Sequence, residues 1–152
     1  MTKQSAGILL YKKSAGELFV FLVHPGGPFF AKKDLGAWSI PKGEFSEGEE
    51  PLTAARREFY EETGVQIDGP FMELSPIKLK SGKMIFAWAC EGDLDTAKIK
   101  SNTFDLEWPP KSGRIQSFPE IDKGDWFPTA VAKTKINERQ SAFIDQSIEI
   151  IG

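Results

Sequence analysis

Between Gly43 and Val65 the chain sets a glycine, five residues, Glu49, seven residues, and then the run Arg57-Glu58-Phe59-Tyr60-Glu61-Glu62-Thr63-Gly64-Val65. On a helix, at about 100° per residue, Glu58, Glu61 and Glu62 stand at i, i+3 and i+4 and share one arc roughly 100° wide. Like charges at these spacings destabilise an isolated helix by a few tenths of a kcal/mol per pair, about 0.2–0.5. Partial burial raises that cost or forces a proton onto one of them. A hard divalent cation removes the conflict: Mg²⁺ and Mn²⁺ accept carboxylate oxygens, keep several waters, and are shared between a few carboxylates and substrate phosphates. Arg57 lies close enough in helical angle to Glu58 and Glu61 to orient one of them through a charge-assisted hydrogen bond. The backbone carbonyls of Lys42-Gly43-Glu44, Lys42 included, are candidates for a further metal ligand, and the Lys42 ammonium is a candidate phosphate contact. The competing reading is a solvated helix laced with salt bridges.

These acids need a helix to hold them, and the sequence marks one over Glu50 to Thr63. Pro51 suits the first helical position, Glu49 and Glu50 face the positive end of the dipole, and Gly64 stands where a C-terminal cap belongs. Leu52 and Phe59 mark its buried stripe, while the small Ala54 and Ala55 let its backbone approach a neighbour. Upstream, Gly7–Tyr11 and Leu18–Val23 read as a hairpin across Lys13-Ser14-Ala15-Gly16, both strands largely buried. A loop from His24 to about Ala37 is long enough to suspect a role in binding, and a short strand is expected around Trp38–Ile40. Downstream, Phe71–Lys80 and Met84–Glu91 read as a second hairpin around Ser81-Gly82-Lys83. Ser101–Pro119, broken by Trp108-Pro109-Pro110 and Ser112-Gly113, reads as mostly ordered loop. A strand near Ile121–Trp126 and helices over Thr129–Ile136 and Ser141–Ile150 complete the reading.

The whole chain has 152 residues, 40% hydrophobic and 27% charged, which gives room for one globular domain spanning 1–152 with a filled core. Its 19 basic and 22 acidic residues sum to a formal net charge of -3, which excludes a broad basic face for nonspecific polyanion binding. A local patch from Lys78, Lys80, Lys83, Lys111 and Arg114 remains. The one cysteine, Cys90, reads as a small core residue in a reducing compartment. The apolar run Ala6–Tyr11 is too short for a signal-peptide core, and no stretch approaches the roughly 18 apolar residues of a membrane span. A cytoplasmic protein with no membrane partner is the expectation.

The segment from Gly43 to Val65 resembles a complete Nudix box, the signature of hydrolases acting on nucleoside diphosphates linked to another group. The weaker resemblance extends to the preceding hairpin, to Trp38-Ser39-Ile40-Pro41-Lys42, and to Asp125-Trp126 followed by a helix. It implies an α/β fold, an α/β/α sandwich with a mixed β-sheet between helices, and a pyrophosphohydrolase with Mg²⁺, or alternatively Mn²⁺, as cofactor. It further implies that Glu58, Glu61 and Glu62 bind the catalytic metals with Arg57 beside them, ligand and general base being roles not separable among the glutamates. Family members often add a carboxylate several residues before a late tryptophan; Glu120, six before Trp126, fits, and Glu107 competes. Phe59 departs from the usual aliphatic residue without touching a ligand.

The Trp-x-x-Pro-Lys-Gly lead-in is similar to that of diadenosine tetraphosphate hydrolases and, less closely, of diphosphoinositol polyphosphate phosphohydrolases. A small-molecule nucleotide, foremost a dinucleoside polyphosphate, is therefore the expected partner, with no stable nucleic-acid partner and the oligomeric state left open. The alternatives are nucleoside triphosphate hydrolysis, trimming of RNA 5′ ends, and a noncatalytic nucleotide-sensing module, which the intact box acids oppose. Phe29, Phe30, Trp38, Phe104 and Trp108 are candidate stacking partners for a base. Arg56 reads as a surface charge and His24 as a local structural residue.

Overall fold

Successive residues are apolar through both early segments because both faces of their strands are covered. In the computed structural model, which describes residues 4–152, the elements in chain order are β1 (Gln4–Ser14), β2 (Glu17–Pro25), β3 (Lys42–Phe45), α1 (Pro51–Thr63), β4 (Phe71–Glu73), β5 (Ile77–Lys78), β6 (Met84–Glu91), β7 (Thr103–Glu107), β8 (Ile115–Pro119), β9 (Ile121–Pro128), α2 (Thr129–Lys135) and α3 (Ser141–Ile151). The main sheet runs β4-β6-β1-β2-β9, with β3 on β1 and β5 on β6. It is mixed: β1 and β6 are parallel and the other pairs antiparallel.

Side chains alternate across this sheet with period two. Ala6, Ile8, Leu10, Phe21 and Val23 pack with Ala54, Ala55 and Phe59 of α1. Leu9, Tyr11, Val20 and Leu22 pack on the other face with Ala132 of α2 and Phe143 and Ile144 of α3. The sheet thus lies between helices, as the resemblance implies. Each fully buried Leu, Ile or Phe contributes about 1.5–3 kcal/mol, so the centre of β1 and β2 is a firm base for the helix that carries the acids. The β1–β2 turn uses Ala15 and Gly16 at φ 52 and 79, a mirror-type turn whose twist suits the flanking strands.

Three expectations are corrected. Trp38–Ile40 is not a strand: Trp38 and Ser39 make isolated bridges to Ile136 and Val23, and pairing with β1 begins at Lys42. Pro41 has no N–H to give a ladder, and the Ile40 N–H is taken by the Gln140 side chain at 3.0 Å. The stretch Phe71–Lys80 divides into β4 and β5, because Pro76 interrupts it and the Gln146 amide takes both backbone groups of Ser75 at 2.7 and 3.1 Å. Ser101–Pro119 is not mostly loop but an antiparallel ribbon, with Thr103 opposite Pro119 through to Glu107 opposite Ile115. Pro109, Pro110 and Gly113 occupy the tip, and these breakers mask the short alternation of Phe104 and Leu106 in β7, a strand that belongs to neither core.

Candidate active site

Helix α1 starts at Pro51 and ends at Gly64, whose left-handed φ of 74 lets its N–H reach the Tyr60 carbonyl at 2.7 Å. Glu50 makes no side-chain cap, and the Glu49 carboxylate is taken by Arg57, whose Nε and Nη2 each donate to it at 3.0 Å. The remaining arm of the guanidinium, Nη1, donates to Glu58 at 2.9 Å and to Glu61 at 3.2 Å. One planar fork therefore fixes three carboxylates at once, and these contacts, Glu49 foremost, hold the Arg57 proton more tightly than in a free arginine. Sequence spacing found the Glu58 and Glu61 contacts. It missed Glu49, which lies before the helix, where angular periodicity says nothing.

The buried stripe of α1 is Ala54, Ala55, Glu58, Phe59 and Thr63, so Glu58, only 9% exposed, sits among core residues. It fits there because Gly43 on β3 faces it: a Cβ at Gly43 would overlap the Glu58 carboxylate. Burial, then the neighbouring Glu61, raises the Glu58 pKa against the pull of Arg57. Glu62 is pushed up to about 8, first by burial and then by Glu58, with Lys42 opposing and Glu120 adding. Glu120 is raised by its own burial and by Glu61. Lys42 is lowered by burial and by Lys83, against Glu62, Glu44 and Glu58.

Glu120 adds to the upward shifts of Glu58 and Glu62 and is itself raised by Glu61, so the loop carboxylate lies within electrostatic reach of the helix acids. A relay of backbone hydrogen bonds brings it there: Asn102 N–H to the Glu61 carbonyl at 2.9 Å, Glu120 N–H to Asn102 at 2.8 Å, and Gly26 N–H to Glu120 at 2.8 Å. Gly26 allows this approach, since a Cβ there would meet the Pro119 carbonyl. Neither Asn102 nor Gly26 is legible as a site residue, because both act through the main chain. Glu107, the competitor, instead accepts the N–H groups of Lys111 and Gly113 at 3.2 and 3.1 Å in the ribbon tip.

A surplus of hard oxygen donors whose charges oppose one another is the donor chemistry of a magnesium or manganese site, and Gly43 leaves the cradle that Glu58 needs. The residues present fit such an ion. Among the described residues no three acidic, histidine or cysteine side chains are already gathered as a closed ligand set, in keeping with Glu58 and Glu61 being turned onto Arg57.

The aromatic candidates separate. Trp38 is 4% exposed, packed edge-on with Phe127 and His24 at 5.0 and 5.2 Å, its indole N–H on Asp34 at 2.8 Å. It is a core residue, and the expectation that it stacks on substrate is corrected. Phe30 carries the Lys33 ammonium 5.3 Å from its ring centroid. Trp108 meets Phe29 at 5.3 Å and Phe104 meets Phe118 at 6.0 Å. His24 is buried between Asp122 at 2.8 Å and the Lys33 carbonyl at 2.6 Å, and Cys90 is buried in the α1-side core. Of the basic patch, Lys83 pairs with Glu44 at 3.6 Å, while Lys111 and Arg114 stand at the other hairpin's tip.

The NUDIX domain model matches residues 1–146. The RNA pyrophosphohydrolase of Agrobacterium fabrum is 32% identical over 108 residues, 60% of this chain and 57% of that protein. The matched stretch covers still less, 36%, of the RNA pyrophosphohydrolase of Bartonella henselae, so the chain spans under two thirds of the curated relatives it matches. Among solved structures, a C. elegans Ap4A hydrolase binary complex superposes with a TM-score of 0.66 at 18% identity, covering 97% of this chain and 98% of that one. The NUDIX domain of Shewanella oneidensis NrtR, complexed with ADP ribose, superposes at 0.67 and 16% identity, over 100% and 90%. At these identities the two structures speak for the fold. Among the described residues no helix is long and apolar enough to cross a membrane.

Proposed function

From a chain that belongs to the Nudix family, its NUDIX domain match running over residues 1–146, we propose a metal-dependent pyrophosphohydrolase, a single domain over 1–152 cleaving a phosphoanhydride in a nucleoside diphosphate-linked substrate. The leading substrate is a dinucleoside polyphosphate such as diadenosine tetraphosphate. The observation that carries the reading is geometric: Gly43 leaves room for the Glu58 carboxylate, one arm of Arg57 holds Glu58 and Glu61, and the backbone relay through Asn102 sets the Glu120 segment beside Glu61. Acids held this way beside the half-buried Lys42 serve no packing purpose.

Glu58, Glu61, Glu62 and Glu120 would hold Mg²⁺ or Mn²⁺, which when bound neutralises phosphate charge and acidifies water. Arg57 holds Glu58 and Glu61 in place through its fork. Lys42, drawn toward Glu62 and Glu58, contacts a nonbridging phosphate oxygen and offsets charge that grows as the anhydride breaks. A carboxylate of the cluster takes the proton from the attacking water. Replacing Glu62 with Gln and measuring turnover at saturating Mg²⁺ tests the assignment: a loss of about 100-fold or more is expected, and near-normal turnover overturns it.

A second reading, release of pyrophosphate from RNA 5′ ends, is favoured by the curated relatives named for that activity. It shares the same acidic cluster and differs only in what extends from the 5′ nucleoside. A panel of diadenosine polyphosphates, nucleoside triphosphates and 5′-triphosphorylated RNA separates the two, with the first expected to be turned over most efficiently.

A further inference from the structure

The β7–β8 ribbon rises directly from the acidic cluster. At its base Asn102 and Glu120 tie it to Glu61, and Gly26 is tied to Glu120. The chain from Gly26 onward then climbs alongside. Gly27 lies against the Phe104 ring, where a Cβ would stand 2.9 Å from it, and Phe29 meets Trp108 at the top with ring centroids 5.3 Å apart and planes at 79°. From Thr103 to Glu107 the ribbon advances about 14 Å at 3.4 Å per residue. Three residues from Gly26 bring Phe29 no farther than about 11 Å from it.

None of Phe29, Phe104, Trp108 or Phe118 belongs to either hydrophobic core, and Phe29 is 59% exposed. Yet the tip that presents Trp108 is tightly held. Its N–H donates to the Arg114 carbonyl at 2.9 Å, its carbonyl accepts from the Gln116 amide at 2.6 Å, and Glu107 accepts two further N–H groups of the turn. Rigid aromatics kept outside the core lose little conformational freedom on meeting a ligand, and an exposed ring face stacks on any base.

We propose that Phe29 and Trp108, at the end of the ribbon away from the carboxylates, form the subsite for the second nucleobase of a dinucleoside polyphosphate whose phosphate chain lies at Glu58, Glu62 and Glu120. This inference rests on the proposed hydrolase reading and deepens it: the ribbon selects substrates carrying a nucleoside at both ends. A substrate with one nucleoside reaches the carboxylates without touching the platform.

Steady-state kinetics of Phe29→Ala and Trp108→Ala on diadenosine tetraphosphate and on adenosine tetraphosphate test it. The expected result is a KM for the dinucleoside raised about 5-fold to 150-fold, with kcat and the mononucleoside KM within 2-fold of the unmodified protein, about 0.4 kcal/mol. Phe29→Tyr, which keeps the ring face, restores the low KM. Equal changes for both substrates, or none, overturn the platform while leaving the hydrolase reading intact. An unmodified protein that cleaves nucleoside triphosphates or RNA ends but not the dinucleoside overturns the platform and the leading substrate together.

Discussion

At the residue scale, the consequence of crowding carboxylates is a protein whose metal-free stability depends on pH in an uncommon direction. Glu62 has a folded pKa of about 8 against an ordinary 4.5, so between those values the folded chain keeps a proton that the unfolded chain has released. Fewer protons on the unfolded state means stability falls as pH rises through this window. Glu58 and Glu120 shift in the same direction. A divalent ion displaces the proton, so the stabilisation Mg²⁺ gives should grow with pH across the same window. Thermal melts with and without Mg²⁺ between pH 5 and 8 measure it, and Glu62→Gln should flatten the metal-free trend; a metal increment independent of pH contradicts the cluster. A second expectation concerns Gly43, where Gly43→Ala must displace the Glu58 carboxylate. Turnover should fall about 10-fold to 100-fold with a small change in melting temperature, whereas full activity would show that Glu58 does not act from this position.

At the scale of elements, the helix with its acids was legible because Pro51, Gly64 and the i, i+3, i+4 carboxylates are local signals. So was the β1–β2 hairpin, whose turn chemistry and apolar strands agree. What escaped was whatever depended on distant partners. Glu120 could be weighed against Glu107 only through its distance from Trp126, and the structure separates them by what Glu107 does in the ribbon turn. Trp38 reads as one more candidate stacking aromatic in the sequence, because burial against Phe127 and His24 depends on distant partners. The β7–β8 ribbon escaped because it packs on no core and its proline-rich tip dominated the composition. The relay through Asn102, Glu120 and Gly26 predicts that Gly26→Ala pushes the 119–120 segment away from the loop and draws Glu120 from the cluster. Mg²⁺ affinity should weaken by about 10-fold to 100-fold, read by calorimetric titration in the presence of a nonhydrolysable analogue. Unchanged affinity would remove Glu120 from the metal site.

At the scale of the molecule, the sheet centre and the ribbon differ in what holds them. Strands β1, β2 and β6 are covered on both faces by α1 on one side and α2 and α3 on the other, so their amides can exchange only when the whole domain opens. The ribbon is secured by its own ladder, its turn, and the short relay to Glu61, and it can open while the core stays closed. Phe59, fully buried on α1 against Phe21, belongs to the first set and Trp108 to the second. Phe59→Ala should therefore cost about 3–5 kcal/mol and, at roughly 2–4 °C per kcal/mol for a domain of this size, lower the melting temperature by about 6–20 °C. Trp108→Ala should leave it within about 2 °C. Hydrogen exchange followed residue by residue supplies the same contrast without mutation: amides of β7 and β8 should exchange at least 100-fold faster than those of β1, about 2.7 kcal/mol less protection. Equal protection in ribbon and sheet centre would mean one cooperative unit, in which the ribbon could not open without disturbing the helix that carries Glu58 and Glu62.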